Sequence, residues 1–355
     1  MKILVVDDSI VYRTAISQAL AEVPGVEVVS SASNGQVATD YLRKNPNGVD
    51  LITLDMEMPI MGGLDAIKEI RKFNKNVIII VFSSVTLQGA EKTIEALGAG
   101  ADDFVTKVQG TGTIEDSLEK IRELLLPKIK AFDSRKVSRE VTHEAYEQKE
   151  ISPSEVKSLE KIVEEMSIKP KLIVLGCSTG GPDALGNLFR GLDKLNVPML
   201  IVQHMPPLFT EKLANMLNGI SENIVVEVKG GEKIRPGHCY VAPGDYHMRL
   251  RKDLTLSIDQ EEKRHFVRPA VDNLFESVAE NCNDQVLSIV LTGMGDDGAE
   301  GAVALSKKGA YQFIQDEVTS VVWGMPGAVS RSGVNVTELP LKDFTSLLNL
   351  ISKRI

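Results

Sequence analysis

Five acidic, basic or hydroxyl side chains stand at the ends of short apolar runs in the first part of this sequence. Asp7 and Asp8 follow KILVV, Asp55 follows VDLITL, Ser83 follows VIIIVF and Lys107 follows DDFVT. Carboxylates gathered at one place repel one another unless a hard divalent cation such as Mg²⁺ lies among them. A lysine and a hydroxyl beside them would neutralise and hydrogen-bond an added phosphoryl group. The pattern therefore predicts a site that carries phosphate on Asp55.

Each of these acids also has an ordinary interpretation, because aspartate is common as a helix cap and in solvated turns. In an open parallel sheet, however, ligands bind at the carboxyl ends of the strands. The recurrence of such residues at successive strand ends favours the phosphate site.

A second candidate centre begins at Ser178, in the stretch KLIVLGCSTGGPDALGNL. The G-x-S-x-G spacing of GCSTG is typical of a sharp turn from a strand into a helix, which exposes a serine hydroxyl above the sheet. A phosphate-cradling loop is the alternative interpretation, but the stretch has neither G-x-G-x-x-G nor a Walker lysine. The spacing therefore favours Ser178 as a nucleophile.

A nucleophilic serine needs a base, and the base needs an orienting carboxylate. Of the five histidines, only His204, in LIVQHMPP, directly follows an apolar strand of the same domain. A third strand, VLSIVLTG, leads into the turn that contains Asp296 and Asp297, and the pattern does not choose between these two aspartates. The order Ser, His, Asp differs from that of α/β-hydrolases, chymotrypsin and subtilisin, which indicates a convergent arrangement.

The elements that position these residues form two α/β domains. In residues 1–130, short β-branched runs alternate five times with amphipathic segments, which predicts a flavodoxin-like (βα)5 domain with a parallel sheet. Residues 131–168 are mostly charged or polar and are predicted to be a linker with a short helix that starts near Pro153. Residues 169–355 are predicted to form a doubly wound α/β domain with a mainly parallel sheet and a β-rich insertion from Ile224 to Ile258.

Composition excludes several classes of function. The net charge of −9 and the lack of a basic cluster argue against a nucleic-acid partner, and no basic recognition helix follows the linker as in a transcription factor. The three cysteines are widely spaced and odd in number, so we expect no disulfide framework. A protein of this kind is expected in the reducing cytoplasm. Two aspartates interrupt the first apolar run before a signal peptide would be complete, and no apolar run is long enough to span a bilayer.

The first 125 residues resemble a two-component receiver domain in the motifs LVVDDS, LDMEMPIMGGLDA, FSS and FVTK. The resemblance implies that Asp55 is the phosphoacceptor and that Ser83 and Lys107 contact the phosphoryl group. Mg²⁺ would be held by Asp8, Asp55 and the carbonyl of Glu57, with Asp7 assisting, and Phe104 stands at the family's aromatic switch position beside the phosphoryl site. Val108 replaces the proline that receivers usually have after this lysine, so we expect a trans or reshaped loop there.

The second half resembles the catalytic domain of the chemotaxis protein-glutamate methylesterases, the CheB family, in GCSTGGPDAL, IVQHMPPLFT, GHCYVAPGDYHM, RPAVDNLFES and VLTGMGDDGAEG. The resemblance implies that Ser178 is the nucleophile, His204 the base and Asp297 the orienting acid. Thr179 and the backbone near Met294 would surround the oxyanion. Cys177 stands where the family often has alanine and is expected to be a small packing residue.

Together the two resemblances imply an esterase, switched on by phosphorylation, that removes methyl groups from glutamate methyl esters of chemoreceptor cytoplasmic domains and deamidates receptor glutamines. A chemotaxis histidine kinase would supply the phosphoryl group, and the unphosphorylated receiver would cover the esterase site. No cofactor is expected in the esterase site. A non-catalytic, phosphorylation-dependent adaptor and a serine esterase with another substrate are the alternatives.

Overall fold

The computed structural model describes residues 1–107, 114–139, 153–166, 169–282 and 285–354. The chain divides into two compact units, Met1–His143 and Glu144–Ile355, each with its own main sheet. The expectation for the loop at Val108 falls outside the described residues.

The first unit has a five-stranded parallel sheet in the order β2-β1-β3-β4-β5, which confirms the predicted (βα)5 domain. Its strands are β1 (Lys2–Val6), β2 (Glu27–Ala32), β3 (Leu51–Asp55), β4 (Ile78–Ser83) and β5 (Asp103–Thr106). Its helices are α1 (Ile10–Ala21), α2 (Gly35–Lys44), α3 (Gly63–Arg71), α4 (Leu87–Gly98) and α5 (Ile114–Arg139). Helix α5 continues past residue 130, where we predict the end of the domain.

Local sequence explains the elements of this unit. Every residue of β3 and β4 is buried, as expected for central strands that are covered by helices on both faces. Three helices begin with a polar cap: Ser9, Asn34 and Thr86 each accept the backbone N–H three residues later, at 3.4, 3.0 and 2.9 Å. Each of these helices therefore begins a few residues after the preceding strand ends.

The second unit has a seven-stranded, all-parallel sheet in the order β14-β13-β12-β6-β7-β9-β8 and a separate antiparallel pair, β10 with β11. Its strands are β6 (Leu172–Cys177), β7 (Met199–Gln203), β8 (Ile224–Glu227), β9 (His238–Val241), β10 (His247–Leu250), β11 (Leu256–Asp259), β12 (Val286–Val290), β13 (Tyr311–Gln315) and β14 (Thr337–Leu339). Its helices are α6 (Pro153–Glu165), α7 (Gly181–Phe189), α8 (Phe209–Ile220), α9 (Val271–Asn281), α10 (Ala299–Ser306), α11 (Gly324–Arg331) and α12 (Asp343–Arg354).

The predicted β-rich insertion from Ile224 to Ile258 is wrong in part. Strands β8 and β9 extend the main sheet in parallel, and only β10 and β11 form a hairpin of their own. Strand β8 is short, lies at the edge of the sheet and alternates exposed and buried residues, a pattern that resembles an antiparallel strand.

Helix α6, predicted within the linker, packs on α12 of the second unit. Leu159, Val163 and Met166 are buried, with 2%, 5% and 2% of their surface exposed. The guanidinium of Arg354 in α12 donates to the carbonyls of Val163 and Met166.

Among the described residues, no helix combines the length and the apolar character needed to cross a membrane.

Both parallel sheets reverse their strand order at one point, and the candidate residues lie there. In the first sheet β1 and β3 are neighbours, although the chain leaves them toward opposite edges. In the second sheet the corresponding neighbours are β6 and β12. At such a point the two loops diverge and leave a crevice at the carboxyl ends of the strands, where open α/β sheets bind ligands.

Candidate functional sites

The crevice of the first unit holds two buried carboxylates and a lysine. Asp7 and Asp55 are 0% and 2% exposed, and Lys107 Nζ lies 3.0 Å from Asp7 Oδ2 and 2.7 Å from Asp55 Oδ2. The other oxygens accept backbone N–H groups, Asp7 Oδ1 from Ser9 at 2.9 Å and Asp55 Oδ1 from Glu57 at 3.2 Å. The lysine therefore joins the ends of β1 and β3.

At this site, burial and pairing with an opposite charge shift the pKa of each group in opposite directions. Burial raises the pKa of Asp55 to about 6, although the hydrogen bond and the charge of Lys107 oppose the change. Burial alone would lower the pKa of Lys107, but its contacts with Asp55 and Asp7 outweigh this and raise the pKa above the usual value. The ammonium group of Lys107 therefore offsets part of the negative charge of the two carboxylates.

The described atoms fit a hard divalent cation. Asp7, Asp8 and Asp55 each offer a carboxylate oxygen, and these oxygens lie within 4.8 Å of one another. Asp7 Oδ2 and Asp55 Oδ2 are buried without a regular hydrogen bond in the described structure, so their ion pairs with Lys107 are their polar contacts. Oxygen donors with spare lone pairs are the ligands that Mg²⁺ prefers.

A pocket of about 230 Å³ opens beside Asp55 and includes Asp8, Ser83 and Lys107 in its wall. The Ser83 hydroxyl donates to the Gly89 carbonyl at 3.0 Å. Phe104 is 8% exposed and is not one of the residues described as lining this pocket.

Two neighbours of this pocket were not found by sequence reasoning. Lys92 lines the pocket and lies 3.2 Å from a Glu57 carboxylate oxygen, and the Tyr12 ring lies 5.0 Å below Lys107 Nζ. Lys92 stands in the middle of a helix rather than at a strand end, so strand-end reasoning could not select it.

In the second unit, Ser178 directly follows β6 on a tight turn into α7. Its N–H donates to the Thr292 carbonyl at 3.0 Å, and its carbonyl accepts the N–H of Gly181 at 2.7 Å. The elbow motif suggests that the serine itself is the strained residue of the turn. In this turn the residue with left-handed backbone is instead Gly180, with φ of 77°. In the described part of the chain the half-buried Ser178 hydroxyl has no hydrogen-bond partner, so it is available for other contacts.

His204 directly follows β7 and is hydrogen-bonded to a buried carboxylate. Its Nε2 lies 2.8 Å from Asp297 Oδ2, and Asp297 is 1% exposed. Asp297 also accepts the N–H groups of Val271 and Asp272 at 2.6 and 2.9 Å. Helix α9 begins after Ala270, which has no capping side chain, so Asp297 supplies that cap from a distant loop.

The surroundings favour the charged form of Asp297. Burial would raise its pKa, but the hydrogen bond and charge of His204 and the two helix N–H groups outweigh burial and lower the pKa below the usual value. A carboxylate that stays ionised suits the task of orienting a histidine.

Asp296 and Asp297 have different partners, although the sequence pattern does not choose between them. Asp297 contacts His204, whereas Asp296 is exposed and its Oδ1 lies 3.0 Å from Nδ1 of His265. The other nitrogen of His265 lies 2.8 Å from the fully buried Asp272. The structure thus brings Asp297, and not Asp296, to His204.

The loop after β12, which contains Met294, runs beside the serine, since a Cβ on Gly293 would lie 2.9 Å from Ser178 Cβ. Thr292 accepts the Ser178 N–H and donates its own hydroxyl to the Thr179 carbonyl at 2.9 Å. Thr179 is buried and Met294 is half-buried. Over the ranges that the structure covers, the backbone N–H groups of Thr179 and Met294 have no hydrogen-bond acceptor.

Family models match both halves of the chain. The model described as CheB methylesterase matches residues 173–348, and the model described as response regulator receiver domain matches residues 3–119. The two matches correspond to the two units that carry the two crevices.

Curated relatives match nearly the whole chain. A Nocardioides sp. protein named protein-glutamate methylesterase/protein-glutamine glutaminase is 41% identical over 346 residues, which cover 96% of this chain and 92% of the relative. A Trichodesmium erythraeum protein of the same name is 40% identical over 346 residues, which cover 96% of each chain.

Two solved structures from Thermotoga maritima match the halves separately. The CheB methylesterase catalytic domain is 36% identical and covers 52% of this chain and 100% of its own, with a TM-score of 0.48. The response regulator domain of CheB is 36% identical and covers 37% of this chain and 93% of its own, with a TM-score of 0.33.

Proposed function

This chain belongs to the family of protein-glutamate methylesterases/protein-glutamine glutaminases, and we propose from that membership how its two sites work. It is a response-regulator esterase of chemotaxis that hydrolyses glutamate methyl esters to glutamate and methanol under the control of phosphorylation. The observation that best supports an active esterase site is the 2.8 Å contact between His204 and Asp297, on strands that flank the strand before Ser178.

The contact supports a different proposed role for each nitrogen of His204. Nε2 faces the carboxylate of Asp297, so in the neutral ring it carries the proton and Nδ1 has the free lone pair. Nδ1 therefore takes the Ser178 hydroxyl proton as the serine oxygen attacks the ester carbonyl. Asp297 holds this tautomer and stabilises the imidazolium that forms.

The rest of the cycle returns that proton and repeats the chemistry with water. The protonated His204 gives its proton to the departing methoxide, which leaves as methanol and completes a Ser178 acyl-enzyme. Water then attacks the acyl group, gives a proton to His204, and the glutamate carboxylate leaves as the Ser178 hydroxyl is restored. The glutaminase activity follows the same route with ammonia in place of methanol.

The N–H groups of Thr179 and Met294 are the proposed donors to the oxyanion. Both stand beside Ser178, one on the turn after β6 and the other on the loop after β12. Preorganised N–H groups that face the developing charge typically contribute about 3 kcal/mol each to lowering the barrier.

In the receiver, Asp55 is the proposed phosphoacceptor, and Ser83 and Lys107 are the proposed contacts of the phosphoryl oxygens. Asp8, Asp55 and the carbonyl of Glu57 would hold Mg²⁺, with Asp7 assisting. When bound, that ion offsets the negative charge of the carboxylates and of the phosphoryl group. Lys107 is already between β1 and β3, where it would turn from Asp7 toward the new oxygens.

The proposed partners follow from these activities. The substrates are the cytoplasmic domains of methyl-accepting chemotaxis receptors, and the phosphoryl donor is a chemotaxis histidine kinase. We propose that the chain acts in the cytoplasm, where both partners are accessible, and that the unphosphorylated receiver holds the esterase site in check.

Replacement of the nucleophile tests the esterase assignment. We expect Ser178→Ala to abolish methanol release from methylated receptor membranes, because alanine has no hydroxyl that could give its proton to His204 and attack the ester carbonyl. Ser332→Ala, on the loop after α11, is the matched serine control and keeps the wild-type rate. Release at the wild-type rate by Ser178→Ala would contradict the assignment.

A further inference from the structure

Gln203 lies between the two residues that exchange the proton in the proposed reaction. It ends β7, pairs in register with Cys177 at the end of β6, and is 2% exposed. Its side-chain Nε2 donates to the carbonyl of Ser178 at 3.0 Å and to the carbonyl of His204 at 3.3 Å. One amide group therefore binds the backbone of both residues.

The contacts define the orientation of this amide. Both carbonyls are acceptors, so the NH₂ end of Gln203 must face them. Its Oε1 then faces Cys177 Sγ at 3.0 Å, which makes the thiol the donor. Burial raises the pKa of Cys177 far above the usual value, so the sulfur keeps that proton. Gly181 leaves the necessary space, since a Cβ there would lie 1.9 Å from Oε1.

We propose that Gln203 is a positioning residue that fixes the separation between the backbones of Ser178 and His204, and that the Cys177 thiol holds its amide in place. The proposal rests on the proposed function, because it takes Ser178 as nucleophile and His204 as base. Among the described residues the Ser178 hydroxyl has no hydrogen bond of its own, so its approach to His204 depends on how the two backbones are held. A displacement of about 1 Å at a reacting group costs about 100-fold in rate.

Gln203→Met in the full-length chain tests this role. Methionine has a similar volume and a flexible chain, but no N–H to offer the two carbonyls. With a small phosphoryl donor and Mg²⁺ present, we expect the kcat for methanol release from methylated receptors to fall about 10- to 100-fold. KM should stay within about twofold, since Gln203 is 2% exposed and offers almost no surface to a receptor.

A second buried glutamine provides the matched control. Gln312 is 3% exposed, donates Nε2 to the Ala302 carbonyl at 2.9 Å and accepts the Ser288 hydroxyl at 3.2 Å, so its contacts resemble those of Gln203 with one carbonyl acceptor instead of two. We expect Gln312→Met to lose as much thermal stability as Gln203→Met but to keep the wild-type kcat. Equal loss of kcat in both variants would show a merely structural role and overturn the proposal.

Two substitutions of Cys177 keep the test decisive if Gln203→Met does not fold. Cys177→Ala removes the donor to Oε1, and we expect kcat to fall about 3- to 10-fold, the effect of one hydrogen bond. Cys177→Ser retains a donor and should restore the rate. Unchanged kcat in Gln203→Met, or in Cys177→Ala, would overturn the inference while wild-type release still supports the esterase. No release by the wild type would overturn the proposed function and this inference with it.

Discussion

At the residue scale, two neighbouring aspartates in one glycine-rich turn perform different tasks. Asp297 is buried, caps α9 and holds His204, whereas Asp296 is exposed and contacts His265. Asp296 points toward solvent, whereas Asp297, the next residue along the turn, points into the crevice. Sequence pattern alone could not separate them, because both follow the same strand and have the same chemistry.

Asparagine substitutions of these two residues test the assignment. We expect Asp297→Asn to lower kcat for methanol release by about 100- to 10,000-fold, because a neutral amide no longer enforces the required tautomer of His204. Asp296→Asn is the matched control and should stay within a few-fold of wild type. The two rates are measured on the same methylated receptor preparation, and the reverse order of effects would contradict the assignment.

His265 gives the second unit a pH-dependent contribution to stability. Burial lowers its pKa, but the hydrogen bond that the ring donates to Asp272 and the charges of Asp297, Asp272 and Asp296 outweigh burial and raise the pKa above 6.5. Both ring nitrogens face carboxylates, so the bound form is the imidazolium. Its stabilisation is therefore complete below pH 6.5 and is lost as the pH rises through the raised pKa of the folded protein.

His265→Gln should remove that pH dependence. We expect the difference in Tm between wild type and His265→Gln to be largest near pH 6.5 and to shrink as the pH rises above it. This window lies above the value of about 6 to which burial, with the charge of Asp297, raises the pKa of Asp272. Thermal unfolding of both proteins across this range is the measurement, and a difference that stays constant with pH would contradict the assigned charge.

At the scale of elements, the apolar runs of the sequence predicted the strands of the receiver and the centre of the second sheet, but they did not place the edge strand β8 in its sheet. The five strands of the receiver and the central strands β6, β7 and β12 were predictable, because each contains a short apolar or β-branched run that alternates along the chain with a helical segment. The edge strand β8 was missed as part of the main sheet, because its alternating, half-exposed residues contain no information about its partner. The cap of α9 by Asp297 joins residues far apart in the chain, so no local motif could reveal it.

Helix α6 shows that an element within a polar segment can belong to a domain. Leu159 is 2% exposed in its contact with α12. We expect Leu159→Ala to lower the free energy of unfolding of the second unit by about 2–3 kcal/mol, because it leaves a cavity between the helices. Glu160→Ala, at an exposed position of the same helix, should change it by less than about 0.5 kcal/mol. Denaturant unfolding measures both, and equal effects would contradict the packing.

At the scale of the whole molecule, the chain has two candidate functional crevices in the same kind of position. Each lies where a parallel sheet reverses its strand order, and each gathers residues from the ends of neighbouring strands. Phosphate on Asp55 of the first would control ester hydrolysis at Ser178 of the second. Because Asp55→Asn keeps the shape of the pocket but cannot form the acyl phosphate, we expect this variant to release methanol at the same rate with or without a phosphoryl donor.

The most direct measurement is methanol release from methylated receptor membranes by the full-length chain, with and without a small phosphoryl donor and Mg²⁺, with Asp55→Asn in parallel. We predict that the donor raises the wild-type rate and leaves the rate of Asp55→Asn unchanged. No methanol release by the wild-type chain under either condition would contradict the assignment of a phosphorylation-controlled methylesterase.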